Sequence, residues 1–524
     1  MESRIKHSSR NAVFAVTQHL IRIILTFVVR TVFIRVIGVE LLGLNSLFAN
    51  ILQLLSIAEL GIGQAIIFSM YKPVAEGDTE KIKSLLSLYK KLYFTVGIVV
   101  IVIGLAMLPF LHHFIQGTPP AGIDIRIVFS AFLAQTSVGY FFAYKRALIF
   151  AHQRNDVENK ILSFSSILLN VVQIILILTT RNYYLFVFML PAAALIEGIM
   201  IFVVARKMYP EIRGKSQKLS REEKKLIAGN TGAQSIHRVG AVIIFGAGSI
   251  IISSILGLEI LGFYANYLLI TNAVASFIGL FATALRGSIG NLVATSEPEK
   301  MHKIFGRMNF LFLAIIGFCT ICLFILLQPF IGVWLGENYV LNFWIMVLLV
   351  VHFYLKKARQ IPLAFKDTAG IFKQDLFKVF LEIAIMLPLA IVLTLFMPQE
   401  FALMGVIIAS IASTILAPFW VEPWVVYKYL FKQSSREYFI KYLVYTLVTL
   451  GIGAIVFLAT WWLPAGGIGW FILKAGITVC LTAILYILVY FKTNHFQYFW
   501  ALAKRAPILR KFFKPPAAPA ETAD

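Results

Sequence analysis

The segment Ile37-Gly-Val-Glu-Leu-Leu-Gly43 returns as Leu256-Gly-Leu-Glu-Ile-Leu-Gly262 in a chain built mostly of apolar runs. The register holds without a gap on either side. Asn11 falls on Asn230, Gly38 on Gly257, Glu40 on Glu259, Gly43 on Gly262, and Glu80-Lys81 on Glu299-Lys300. A helix pair has been duplicated. An even number of apolar runs separates the copies, so both enter a bilayer the same way round, and the two halves are expected to be related by an axis along the membrane normal.

With 524 residues, 59% of them hydrophobic and 14% charged, and a mean hydropathy of +0.84, the chain reads as an integral membrane protein. The net charge of +22 does not point to nucleic acid, because the 47 Lys and Arg residues cluster in alternate loops, as the positive-inside rule expects. The first apolar run is too long for a secretory signal, carries Arg22 and Arg30 and shows no small-residue cleavage site, so it is expected to be retained. Cys319, Cys322 and Cys480 fall inside apolar runs, where neither disulfides nor loop-type zinc sites are expected.

Runs near the length of about 20 residues that a helix needs to cross a bilayer lie at 11–36, 42–70, 88–115, 124–150, 158–180, 184–206, 227–256, 260–290, 305–330, 340–364, 374–397, 401–428, 438–463 and 468–491. The predicted fold is therefore all-α and polytopic, with about 14 transmembrane helices in two six-helix lobes related by a parallel repeat, plus a final pair. The N-lobe is read at 1–208, a cytoplasmic linker at 209–225, the C-lobe at 226–430, the final pair at 431–493 and a cytoplasmic tail at 494–524. Connections such as Gln116 to Gly122 and Pro464 to Gly469 are poor in Lys and Arg and are expected to face outward, which puts both termini on the cytoplasmic side. Within the tail, the basic, aromatic stretch from Lys504 to Lys514 is expected to lie on anionic headgroups, and the Pro- and Ala-rich end to be disordered.

Enzymatic chemistry finds no seat. Gly214-Lys215-Ser216 looks like the end of a phosphate-binding loop, but Tyr209 stands where the earlier glycine is required, and no strand precedes it. There is no zinc-protease or nucleophile-elbow motif and no outward loop large enough for a glycosyltransferase. A chain of this kind is expected to be a transporter with no cofactor, driven by an ion gradient, a substrate gradient or downstream consumption. Transporters built from repeats carry their substrate sites between the repeats.

Basic residues at the centre of a span are costly and usually face a wet cavity or a partner. On the first helix, His19, Arg22 and Arg30 fall with Thr26 on one narrow stripe, a candidate cationic wall, while Arg35 points away as an interface anchor. On the second helix Asn45, Gln53, Ser56 and Glu59 share a face. Glu59 near mid-membrane and Glu197 in the sixth helix are candidates for ion coupling to protons or sodium, or alternatively for structural ion pairs. The repeat places Arg238 where His19 stands, with His237 beside it as a helix-contact residue, and Arg286 near the inner end of the eighth helix as a further candidate ligand. Glu422 reads as solvated near the cytoplasmic face, and Pro418 and Pro423 should kink the twelfth helix.

The run from Ala58 to Pro73, with Leu42-Gly-Leu-Asn-Ser46 before it and Gly77-Asp-Thr-Glu-Lys81 after it, resembles the second-helix signature of bacterial polysaccharide exporters. These are the lipid-linked oligosaccharide (O-antigen-type) flippases of the superfamily that also holds multidrug and toxin extrusion transporters and the lipid II flippase. The resemblance implies a cavity lined by the first, second, seventh and eighth helices. It further implies movement of an undecaprenyl-pyrophosphate-linked sugar repeat unit to the outer leaflet of the bacterial cytoplasmic membrane, with membrane lipids, a polysaccharide polymerase and a chain-length protein as partners. A cationic stripe suits a pyrophosphate, since Arg offers several donors in a planar fork. Two relatives of the same superfamily are the alternatives. A multidrug antiporter for organic cations would want an acidic cavity, whereas a lipid II flippase fits the basic stripe equally well.

Overall fold

The computed structural model of the protein describes residues 20–59, 62–212, 214, 219–220, 232–464 and 466–505. His19, most of the 209–225 connection and the tail beyond residue 505 lie outside the described residues, as does the side chain of Glu59. The described residues are helical, with turns between helices and no strand. Eleven of the helices are long and apolar enough to cross a membrane. The protein is a multi-pass, all-α membrane protein, the architecture that satisfies every backbone group within its own segment in hydrocarbon.

The other expected runs differ for local reasons. The first is described from residue 20 and continues as helix α1 over 20–36. The second, read as one helix, is two: α2 (Val39–Leu55) and α3 (Ile62–Glu76), parted by a 3₁₀ turn at Ser56–Glu59. Ser56 turns its hydroxyl back onto the helix it ends, donating to the Leu52 carbonyl at 2.9 Å, and glycines occupy 61 and 63 in the sequence; both features weaken helix continuation. The tenth breaks after Ala358 and resumes at Gln360.

The duplication is visible atom for atom in the turns. Phe33 O accepts from Ile37 N at 2.8 Å and Gly38 N at 3.3 Å, and Ile252 O accepts from Leu256 N at 2.8 Å and Gly257 N at 3.1 Å. Gly38 and Gly257 take φ values of 110° and 93°, which only glycine adopts without strain at a helix end. Beyond those turns α2 and its counterpart, α9 (Leu258–Thr295), run on from the first-copy helix α1 and the second-copy helix α8 (Gly232–Ile255). Further along, Asp78 caps α4 (Thr79–Met107) by accepting from Lys81 N at 2.9 Å, and the aligned Glu297 stands at the N-cap of α10 (Pro298–Trp334).

The chain divides into two compact units, one of Met1–Ala273, Tyr339–Leu348 and Phe372–Pro418, the other of Val274–Asn338, Leu349–Ile371 and Phe419–Asp524. In the first unit the two copies meet at a pair of glycines. A Cβ on Gly43 would lie 1.9 Å from Leu258 O, and one on Gly262 would lie 2.3 Å from Val39 O. Val39 aligns with Leu258 in the repeat, so these are the two halves of one pseudo-two-fold contact, backbone against backbone. In the second unit Phe305 is enclosed edge-on by Phe365, Tyr427 and Phe431.

The span at 402–431 breaks where proline requires. Its helix stops at Leu416, a new one runs over Pro418–Val425, and Val426–Phe431 is a π-turn. Within that broken region Glu422 is not solvated. It is 1% exposed and takes a bidentate fork from Arg359, Nε to Oε2 and Nη2 to Oε1, both at 3.0 Å. A charge reading of the sequence sees only the nearness of the helix end; the fold supplies an arginine from the break between Ala358 and Gln360.

Candidate functional site

Each predicted site residue has a place in the first unit or outside it. Arg22 is exposed on α1. Arg30, about two turns before Gly38, is partly buried, and its Nη1 donates to Asn266 Oδ1 on α9 at 3.2 Å. The repeat sets Ser249 where Arg30 stands, and Ser249 Oγ accepts from Asn50 Nδ2 at 2.9 Å. Equivalent positions on α1 and α8 thus each bond to the second helix of the opposite copy. Asn266 is 1% exposed, and its Nδ2 finds no partner among the described residues.

Beside this contact lies a cavity of about 580 Å³ whose wall includes Gln53, Ser56 and Arg238. These are three of the residues that the stripe argument selects. Facing them are Tyr89 and Tyr93, one turn apart on α4, whose rings stack at 4.2 Å and 11°. Gly63 admits that pair, since a Cβ there would lie 2.1 Å from the Tyr93 hydroxyl. Tyr140 continues the aromatic wall at 6.2 Å from Tyr93. Arg238 makes no ion pair with any described residue, so this cation, the Arg146–Glu158 pair, neutral hydrogen-bonding groups and aromatic faces share one chamber. Such a set can hold a phosphate through the guanidinium fork and carry the apolar face of a sugar ring on the tyrosines.

Other predicted residues are engaged elsewhere. Asn45 accepts from the Tyr183 hydroxyl at 2.6 Å and stands apart from the cavity wall. Glu197 pairs with Arg146, which also lies 3.3 Å from Glu158 through Nε, so this arginine of helix α5 (Ile125–Ala151) is shared between two acids. His237 lies 2.9 Å from Asp375 and 3.0 Å from the Phe372 carbonyl, a helix contact. Arg286 is exposed and belongs to the second unit. The tyrosines and the Arg146–Glu158 pair escaped the sequence reading, although the i, i+4 spacing of Tyr89 and Tyr93 was a usable signal. Arg146→Ala should lower thermal stability by about 2 kcal/mol by stranding the carboxylates of Glu158, at the cavity wall, and of Glu197, with recovery on adding Glu158→Gln and Glu197→Gln; unfolding of the detergent-solubilised variants measures this.

Among solved structures, the chain is similar to a multidrug resistance MATE family transporter of the MOP superfamily (14% identity, 77% of this chain and 94% of that one, TM-score 0.58). It is also similar to the lipid II flippase MurJ (12% identity, 91% and 99%, TM-score 0.61) and to the MATE transporter VcmN of Vibrio cholerae (14% identity, 79% and 96%, TM-score 0.52). At these identities the likeness is one of fold. No curated protein sequence matches the chain. The family model described as polysaccharide biosynthesis protein matches residues 8–286, more than half of the sequence and the stretch that holds both copies of the helix pair; the chain belongs to that family.

Proposed function

We propose that the protein flips an undecaprenyl-pyrophosphate-linked oligosaccharide repeat unit from the cytoplasmic to the outer leaflet for surface polysaccharide assembly. The observation that carries this reading is the first unit's cavity, where Arg238, Gln53 and Ser56 face stacked tyrosines. A cation for the pyrophosphate and rings for the sugars are what a charged, carbohydrate headgroup requires, while the polyprenyl tail stays in lipid. An organic-cation antiporter would want carboxylates in that position; the acid in the cavity lining, Glu158, is already paired with Arg146. In this mechanism the six-helix lobes alternate in access, Arg22 and Arg30 with Arg238 neutralise the pyrophosphate, and Glu59 is a candidate for ion coupling. Glu197, held by Arg146, is assigned to structure.

The test is deletion in the native host with analysis of the membrane lipids. Cytoplasmic-side accumulation of undecaprenyl-pyrophosphate oligosaccharide, reversed by the wild-type chain, is the expected result; a normal lipid pool with altered drug sensitivity would refute it. Arg22→Ala combined with Arg30→Ala should abolish export while the protein remains in the membrane. Normal polymer from that variant would remove the two arginines from the site.

A further inference from the structure

The second unit contains a pocket outside everything described above. It has a volume of about 260 Å³ and is built by the start of α10, the π-turn at Val426–Phe431, the helix Arg436–Thr460 and the helix Asn494–Arg505. One face of α10 supplies Glu299, His302, Lys303, Gly306 and Asn309, the i, i+3, i+4, i+7 spacing that lines up a single stripe. Gly306 leaves the wall open, since a Cβ there would meet nothing within 4 Å.

The pocket is graded from floor to mouth. Phe305, Tyr438 and Asn309 are 1%, 2% and 4% exposed, whereas Glu299, Lys303 and Glu437 are open to solvent. Asn309 Oδ1 is wholly buried and accepts no hydrogen bond from a described residue, which is costly unless a ligand supplies the donor. At the mouth, two carboxylates (Glu299, Glu437) and two ammoniums (Lys303, Lys441) balance, with Glu437 bonded to Lys441. A pocket of net zero charge with both signs at its rim and aromatic rings below favours a zwitterion whose cationic end goes inward.

A second observation says what the zwitterion is attached to. On the same Arg436–Thr460 helix, Ile440, Leu443, Val444, Leu447 and Leu450 form an exposed apolar strip, 48% to 63% exposed, that begins beside Glu437 at Val444 and runs round the face away from Tyr438, Lys441 and Tyr445. An amphiphile with its head in the pocket can lay acyl chains along that strip.

We infer that this pocket is a binding site for an aminoethyl-phosphate headgroup carried by a phospholipid. The primary ammonium donates to Asn309 against the rings of Phe305 and Tyr438, and the phosphate meets Lys303. A quaternary ammonium has no proton to donate, and an anionic glycerol headgroup brings no cation to the rings of Phe305 and Tyr438.

The full-length protein, delipidated in detergent and titrated with phosphatidylethanolamine, phosphatidylcholine or phosphatidylglycerol, is examined by native mass spectrometry. One phosphatidylethanolamine per chain should bind about tenfold more tightly than either of the others, the worth of one charge-assisted hydrogen bond. Asn309→Leu should erase that preference. Gly306→Leu, whose Cβ meets nothing within 4 Å, should block the site, with thermal unfolding in detergent checking that the variant is folded. Equal retention of the three lipids, or unchanged preference in folded Gly306→Leu, overturns the inference. Free phosphoethanolamine at millimolar concentration should fail to displace the lipid, and complete displacement would overturn the assignment to a membrane source.

Discussion

Gly43→Ala and Gly262→Ala should each abolish surface polymer production and lower stability by about 1 to 3 kcal/mol, the usual cost of overpacking, and the double variant should cost little more than either alone. Each added methyl group collides with a main-chain carbonyl, Leu258 O at 1.9 Å or Val39 O at 2.3 Å, and a main chain inside two helices cannot swing aside as a side-chain tip can. Relief comes only by parting the two copies. Once one substitution has done so, the second finds the room already made, hence the sub-additivity. Gly279→Ala is the control: its Cβ meets nothing within 4 Å, so replacing a helical glycine there should be neutral or stabilising. Thermal unfolding in detergent, together with complementation of a deletion strain, measures all four variants. Additive losses, or unchanged stability in the single variants, would show that the copies do not depend on this contact.

The second large effect lies in the other unit. Glu422→Ala should cost about 3 to 5 kcal/mol, because it leaves the Arg359 guanidinium without its buried carboxylate. Both oxygens of Glu422 are used, at 3.0 Å each, in a site where the acid is 1% exposed. Arg359→Met with Glu422→Met should recover most of the loss, since two apolar side chains of similar volume avoid the desolvation of both charges. If the double variant is as unstable as Glu422→Ala, the pair carries further bonds that the fold needs. Pro418 and Pro423 bracket this acid in sequence, and the broken span they create is what turns Glu422 toward a helix rather than toward water.

Three residues of the candidate site were legible before any coordinates. Gln53, Ser56 and Arg238 could be selected because a polar residue in a membrane span must have a reason, and the gap-free repeat carried the argument from the first helix to the eighth. Asn45 met the same criterion and yet bonds Tyr183 within its own unit. One-dimensional periodicity marks which face of a helix is polar but cannot say which neighbour that face meets. Tyrosine is at home in cores, interfaces and sites alike, so Tyr140 carried no signal that would single it out, and the i, i+4 spacing of Tyr89 and Tyr93 marked a shared face without saying what it meets.

The sequence by itself determined the all-α membrane fold, the duplication and the glycine turns. Hydrocarbon allows a long apolar run few structures other than a helix, and a left-handed turn residue leaves its mark as glycine. Only the tertiary structure decided the polar partners: Arg146 with Glu158 and Glu197, Arg359 with Glu422, and Arg30 with Asn266. It also decided where Gly43 and Gly262 meet and which polar groups line a common cavity. The physical reason is separation along the chain. These partners lie on different helices, often far apart in sequence, and a pairing of that kind is chosen by how the helices pack, after each helix has already been dictated by its own residues.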